Sequence, residues 1–340
     1  ALCVISEKEL EGQTNSYIKV KSSLQALKDM ALLYRNNLDI KVVGITGSVG
    51  KTSTKETISY VLNKKYKVLK TEGNFNNEIG LPLTVFRLRD DDEVAVLEMG
   101  ISDFGEMDRL SKIAQPDISV ITNIGLCHLE NLKTRDGILK AKTEIFNNMK
   151  PDGIAILNGD DDKLITVDEV NGKKPERFGI NYKDGVYAKD IENLGLSGTK
   201  FVISGLNCVD GCKDFEVTVP VPGHHMIYNA LAAACVGAAL ELTSAQIADG
   251  IADLKTISGR NNIIKTSKYT LIDDCYNANP VSMKASVDVL DMAIGRKVCI
   301  LGNMYELGEN EKNLHYDVGQ YIGTKNIDVL ITIGDLARHI

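Results

Sequence analysis

The sequence predicts an α/β protein: a central domain on a mostly parallel sheet with a β-rich insertion, followed by a partial second α/β domain. Three features carry this expectation. Short runs rich in Val, Ile and Leu alternate with helical or polar stretches over most of the 340 residues. Residues 163–222 break into brief segments punctuated by Gly, Asn and Asp, and a second strand series starts after Gly259.

Taken in order, the first series comprises 41–46, 66–70, 93–99, 118–124 and 154–158, each apolar enough to be covered on both faces of one parallel sheet. Within 163–222, segments 200–204 and 215–219 read as antiparallel strands. A helix follows Pro222-Gly223 and runs through Asn229 and the small residues 230–234, which suit close packing on the sheet, and Gly250 to Gly259 leads out of this domain. Strands at 269–275, 297–301 and 328–333, with a helix over 281–293, begin the second domain. The first residue is not Met and the last domain ends after about three strands, where about five or six are usual, so the chain reads as a fragment.

Composition narrows the function. With 39 basic against 46 acidic side chains the formal charge is −7, so nothing broad attracts nucleic acid or an anionic membrane. The longest weakly polar run, 230–240, is far short of the roughly 20 residues that cross a bilayer, and no signal peptide is visible, so the protein is expected in the cytoplasm without membrane insertion. Seven cysteines are scattered; Cys208 and Cys212 form the one close pair and read as reduced loop thiols rather than a metal site.

The strongest local signal is Val42-Val-Gly-Ile-Thr-Gly-Ser-Val-Gly-Lys-Thr-Ser53, which leads from a buried strand through three glycines into a helix. Glycines let successive backbone N–H groups curl inward, the helix N-terminus adds positive potential, Lys51 neutralises phosphate charge and the Thr52 hydroxyl can ligate Mg²⁺. This is a phosphate loop (P-loop) for a nucleoside triphosphate. It is a variant one: Ile45 stands five before Gly50, where the usual pattern has glycine, and the glycines fall at 44 and 47.

Other chemistry collects at the carboxyl edge of the predicted sheet, where ligand groups gather. The strand ending in Glu98 delivers a candidate Mg²⁺ ligand, or a solvent-facing strand end. Segment 118–124 runs on into Gly125-Leu-Cys-His128 and brings Asn123 and His128 to the same edge, His128 being either structural or a ligand. A helix over 135–149 places Lys142 in the middle of its apolar face. That lysine either snorkels or, desolvated and neutral, reacts with CO₂ to give a carbamate whose oxygens face a second Mg²⁺.

These residues resemble the Mur ligase family. Gly44 to Thr52 fits that family's loop, Gly-x-Thr-Gly-x-x-Gly-Lys-Thr, and further matches run through TEGNFNNEIGLPLT at 71–84, EMGISDFGEMDRL at 98–110, TNIGLCHLE at 122–130, AKTEIF at 141–146, YNALAAA at 228–234, DDCYNANP at 273–280 and GNMYELGE at 302–309. The resemblance is greatest to the branch that joins D-alanyl-D-alanine to UDP-N-acetylmuramoyl-tripeptide. Asn303 departs from that pattern, where an aspartate is usual, as does Leu132-Lys133-Thr134 in place of Phe-Gly-Ser.

The resemblance implies three domains. Residues 1–39 would be the tail of an N-terminal UDP-substrate domain, 40–257 the central ATP-binding domain, and 258–340 an incomplete Rossmann-like ligase domain. It implies ATP and two Mg²⁺ sites. Gly47, Ser48, Val49, Gly50, Lys51, Thr52 and Ser53 would cradle the phosphates; Thr52 and Glu98 would serve the first metal; His128 and carbamylated Lys142 would serve the second. Asn229 matches the adenine-contacting position, Arg260 the phosphate-contacting arginine and Asp274 the ribose-side acid, while a helix cap and a solvated linker charge are the plainer readings of Asn229 and Arg260. Asn76, Asn77 and Asn123 match positions facing the UDP-sugar peptide, and Tyr276, Asn277 and Asn279 the adenosine and incoming-amine side. Lys51, Lys142, His128 and Arg260 are the expected catalytic groups, in a monomer. Rival readings are a sister ligase adding one amino acid and a nucleotide hydrolase with no acceptor.

Overall fold

The computed structural model describes residues 3–9 and 16–340. A short parallel pair, β1 (Val4–Ser6) and β2 (Tyr17–Lys19), precedes α1 (Ser23–Asn36), whose first turn is capped by the Ser22 hydroxyl accepting from Gln25 N–H. Buried Arg35 closes this helix onto the next strand by donating to the carbonyls of Leu38 (3.0 Å) and Ile40 (3.2 Å).

The central unit then runs β3 (Lys41–Thr46), α2 (Lys51–Leu62), β4 (Val68–Lys70), α3 (Gly80–Val85), β5 (Val94–Glu98), α4 (Glu106–Ala114), β6 (Ile118–Ile121), α5 (Leu129–Leu132), α6 (Arg135–Thr143), β7 (Ile154–Asn158), β8 (Glu176–Gly179), β9 (Val186–Asn193), β10 (Thr199–Ser204), β11 (Phe215–Val219), α7 (His225–Ala239) and α8 (Ser244–Ala252). All nine strands β3–β11 form one sheet in the order β11-β10-β9-β8-β7-β6-β3-β5-β4. Pairing is parallel from β4 across to β9 and antiparallel for β10 and β11. The five strands expected first are therefore neighbours, and the β-rich stretch continues their sheet through β8 and β9 before it turns antiparallel.

Both faces are covered, which explains the near-continuous apolar runs. Along β5, Val94 and Val96 face the core shared with Ile58 of α2 and Ala230 of α7, whereas Ala95 and Leu97 face the core shared with Leu110 of α4 and Ile138 of α6. Gly237 and Gly250 let α7 and α8 approach α2 closely: a Cβ on Gly250 would lie 2.4 Å from the Val61 Cα. The helix expected over 135–149 is shorter. It ends at Thr143, whose hydroxyl bonds back to Leu139 O, and tightens to a 3₁₀ turn at Glu144–Phe146.

The C-terminal unit comprises β12 (Asn262–Lys265), β13 (Thr270–Asp273), α9 (Pro280–Asp291), β14 (Val298–Leu301), α10 (Glu311–Ile322) and β15 (Val329–Thr332). The expected strand series divides here. β14 and β15 pair in parallel, but β13 forms an antiparallel hairpin with β12, closed by the Thr266 hydroxyl and backbone bonding to Tyr269. A small core of Met283, Val287, Cys299, Met304, Leu307, Leu314, Val318 and Ile322 holds the unit together. Among the described residues no helix is long and apolar enough to cross a membrane.

Candidate active site

The phosphate loop bridges β3 and α2 and is held by the strand beside it. Asn123 clasps Val49 from both sides, its Oδ1 accepting from Val49 N–H and its Nδ2 donating to Val49 C=O, each at 2.9 Å. The Thr122 hydroxyl donates to the same carbonyl (2.7 Å), and Ser48 N–H donates to Asn123 C=O (3.0 Å). Gly47 is obligatory: at φ 151°, a Cβ there would sit 1.9 Å from Thr122 Oγ1. Asn123, expected on the substrate side, thus braces the loop through its Oδ1 and one Nδ2 hydrogen while also lining the adjoining cavity.

Lys51 opens α2, followed by Thr52 and Ser53, and its ammonium donates to the carbonyls of Gly47 (2.8 Å) and Ser48 (3.4 Å). Burial lowers its pKa and Arg260 works in the same direction, while Glu98 and Cys127 oppose, so these groups share one electrostatic neighbourhood. Glu98 ends β5 and is buried; its Oε1 accepts from Asn76 Nδ2 (2.8 Å), whereas its Oε2 is buried with no protein partner. An uncommitted carboxylate oxygen beside a phosphate loop fits a hard divalent cation.

Lys142 is 1% exposed, so it does not snorkel. Burial, then the charge of Lys51, pushes its pKa down to about 7, with Cys127 opposing. A large neutral fraction at physiological pH is what carbamate formation requires. His128 caps α5 with φ 51°, and its Nδ1 lies 3.0 Å from Glu306 Oε2 of the C-terminal unit. Its pKa is lowered by burial and by Lys142 and Lys51, which outweigh Glu306. Among the described residues no group of three or more His, Cys, Asp or Glu side chains is placed to hold a metal, so the expected shells depend on Thr52, Glu98 and a modified Lys142 beside His128.

Next to the loop, a cavity of about 390 Å³ opens between the two units, lined by Gly50, Ser53, Asn229, Arg260 and Asp274 among others. Asn229 is not a helix cap: it lies in the second turn of α7, buried, and its Oδ1 accepts from the Thr54 hydroxyl (2.9 Å). Arg260 is not a solvated linker charge either, since it stacks 4.2 Å over the Tyr276 ring. Asp274 accepts from Asn261 N–H (3.1 Å) and from the Ser286 hydroxyl.

Three residues expected on the substrate side make local bonds through their Oδ1 atoms. Asn77 Oδ1 accepts from Gly80 N–H at the start of α3, Asn279 caps α9 by accepting from Val281 and Ser282 N–H, and Asn277 accepts from Ala278 N–H. The structure also brings forward residues not singled out from the sequence. Asp160 borders the cavity just beyond β7 and accepts from three backbone N–H groups at 180–182 and from the Tyr228 hydroxyl (2.9 Å). Burial raises its pKa, but those bonds prevail and hold it low. Its place at the end of a parallel strand was the available signal.

A P-loop on a mostly parallel sheet, with a second α/β unit across the adjoining cavity, defines a class of ATP-using enzymes, and this chain belongs to the Mur ligase family. The Mur ligase middle domain matches residues 45–237, and the Mur ligase glutamate ligase domain matches residues 259–340. UDP-N-acetylmuramoyl-tripeptide--D-alanyl-D-alanine ligase of Bacillus subtilis (strain 168) is 39% identical over 331 residues, 96% of this chain and 70% of that enzyme. The enzyme of the same name from Escherichia coli (strain K12) is 35% identical over 317 residues, 93% of this chain and 69% of that one. The crystal structure of MurF from Acinetobacter baumannii aligns with a TM-score of 0.91 at 33% identity, covering 98% of this chain and 72% of that one. MurF ligase from Thermotoga maritima, solved in complex with ADP, aligns at 0.89 and 32% identity, covering 100% of this chain and 77% of that one.

Proposed function

We propose that this chain acts as an ATP-dependent amide ligase, joining D-alanyl-D-alanine to UDP-N-acetylmuramoyl-tripeptide in the supply of cell-wall precursors. The observation that carries the reading is the convergence on one phosphate loop of Lys51, the uncommitted oxygen of Glu98, partly neutral Lys142 and, from the other unit, Arg260. The relatives named for this reaction support the choice of acid and amine.

A carboxylate is a poor electrophile and must be activated. The γ-phosphoryl of ATP passes to the terminal carboxylate of the tripeptide; the β–γ bridge breaks, ADP leaves and an acyl phosphate forms. The amine of D-alanyl-D-alanine then attacks the acyl carbon, phosphate leaves with the C–O bonding pair, and the amine gives up a proton as the amide forms. Lys51 and the loop N–H groups oppose charge on the transferring phosphoryl, and Arg260 adds to them from across the cavity. Bound Mg²⁺ would supply further charge neutralisation, one ion on Thr52 and Glu98 and a second on His128 and Lys142. For the latter, the neutral amine of Lys142 would form an N–C bond to CO₂ as one C=O π bond opens onto oxygen, and would lose a proton, converting an uncharged amine into an anionic oxygen donor. Gly47 to Ser53 would cradle the phosphates, Asn229 would meet adenine, and Asp274 with Tyr276 would meet the ribose side. Residues 40–257 would then be the ATP-binding domain, 258–340 the ligase domain and 1–39 the tail of a UDP-substrate domain, in a monomer working in the cytoplasm on nucleotide-linked substrates.

An amine screen tests the assignment. With ATP and UDP-N-acetylmuramoyl-tripeptide, D-alanyl-D-alanine should drive ADP release and appear in the product; ligation of glutamate or a single diamino acid instead would overturn it.

A further inference from the structure

The segment Gly125-Leu126-Cys127-His128 belongs to the central unit but touches both sides of the site. On one side it is tied to the phosphate loop: Gly125 N–H donates to Ser48 Oγ (2.9 Å), the Ser48 hydroxyl lies 3.2 Å from Gly125 C=O, and the Cys127 thiol reaches Ser48 Oγ at 3.1 Å. On the other side, Leu126 packs against the small apolar core of the C-terminal unit, which contains Met304 and Leu307. Two residues on, His128 Nδ1 meets Glu306 Oε2 at 3.0 Å. Glu306 belongs to the loop 302–309, which also supplies Met304 and Leu307 to that core, and the loop is held from behind. Met304 N–H donates to Nε2 of fully buried His315 (2.9 Å), whose Nδ1 lies 2.7 Å from Glu311 C=O. Glu306 itself has φ 60°, an uncommon conformation for a side-chain-bearing residue, which presents its carboxylate to the imidazole.

We propose that Glu306 is a positioning residue for His128: by accepting the Nδ1 proton it fixes the ring and leaves Nε2 as the open electron pair, and it does so only while the C-terminal unit is docked through Leu126. This rests on the reading of His128 as a working residue of the ligase site. The two ring nitrogens of a neutral histidine are distinct, and the hydrogen bond made by one determines what the other offers. Carboxylates that orient a liganding histidine in this way typically change affinity or activity by about 10–100-fold when removed. Here the orienting group and the imidazole lie on different units, so an open arrangement leaves the ring unset.

The test uses the full chain with ¹⁵N-labelled histidine, without substrates, at a pH where His128 is neutral, its signals assigned by their loss in His128→Asn. The wild-type ring should be the Nδ1–H tautomer. Glu306→Ala should release it toward the Nε2–H form that neutral imidazole favours, whereas Glu306→Gln, which keeps an accepting oxygen, should restore Nδ1–H. Glu306 is largely exposed, so neither change leaves a buried void. In parallel, kcat for ligation should fall about 10–100-fold in Glu306→Ala with KM for ATP little changed, and recover in Glu306→Gln. A wild-type Nε2–H ring, an Nδ1–H ring that survives Glu306→Ala, or a loss of kcat without a tautomer change would each overturn the proposal. Because the tautomer is read without substrates, failure of the ligase reading is recognised separately, by absence of D-alanyl-D-alanine ligation.

Discussion

The central and C-terminal units meet at one cavity but are built differently. In the central unit the proposed reacting groups stand on, or pack against, a nine-stranded sheet covered on both faces, with Glu98 at the end of β5 and Lys142 on α6 at 2% and 1% exposure. In the C-terminal unit Arg260 and Asp274, which line the cavity, flank a two-stranded hairpin, and Ile300 and Ile331 of the other two-stranded sheet remain 60% and 44% exposed. The first arrangement desolvates charges and holds them in fixed places, where small displacements are costly. The second makes contacts that can be formed and broken as the units approach and part. Chemistry that needs a perturbed lysine belongs in the first, and contacts that sense closure belong in the second.

Substitutions should separate the two regions by size of effect. Lys51→Ala should lower ATP turnover by on the order of 10³-fold or more, read as ADP release, since it removes a full charge from a buried phosphate site. A fall of only a few-fold would place the phosphates elsewhere. Lys142→Ala should cost on the order of 10²-fold and be partly rescued by added acetate or formate, which replace the missing oxygens. No rescue, together with an unmodified Lys142 by mass spectrometry, would remove the carbamate. Arg260→Ala, on the C-terminal side, should cost about 10-fold in kcat, with Tyr276→Ala smaller still because it removes only the stack. An Arg260 effect as large as that of Lys51 would erase the distinction drawn here.

A stability measurement sharpens the same contrast. Lys142 has a folded pKa of about 7 against an ordinary 10.5, with Lys51, Cys127 and His128 around it. Between those values the unfolded chain holds a proton that the folded chain lacks, so stability rises with pH from about 7 to 10.5. In CO₂-free buffer, the unfolding free energy from urea titrations, wild type minus Lys142→Met, should show this rise, with a slope no steeper than about 1.4 kcal/mol per pH unit. A flat difference would mean that Lys142 keeps its proton in the folded state.

Much of this was legible in the sequence where the signal is local. The strand–glycine–lysine order located the loop between β3 and α2, and the position of Lys142 on an apolar helix face foretold its burial. Features that depend on pairing between distant segments were not. Nothing in 262–265 announces that β12 takes β13 away from the β14–β15 pair, because four-residue strands carry little pattern. Asparagines are ambiguous for a related reason: an amide that could face a substrate can equally cap a helix, as Asn279 does, shape the turn before one, as Asn77 does, or brace a loop, as Asn123 does. The His128–Glu306 contact spans 178 positions and two units, and neither residue's neighbours point to the other.

The most direct test of the account is isotopic. UDP-N-acetylmuramoyl-tripeptide carrying ¹⁸O in its terminal carboxylate should, with ATP and D-alanyl-D-alanine, yield phosphate containing one ¹⁸O per amide formed, because that oxygen bridges to phosphorus in the acyl phosphate. Phosphate free of the label, its fourth oxygen drawn from water, would mean that ATP is hydrolysed without activating the acid.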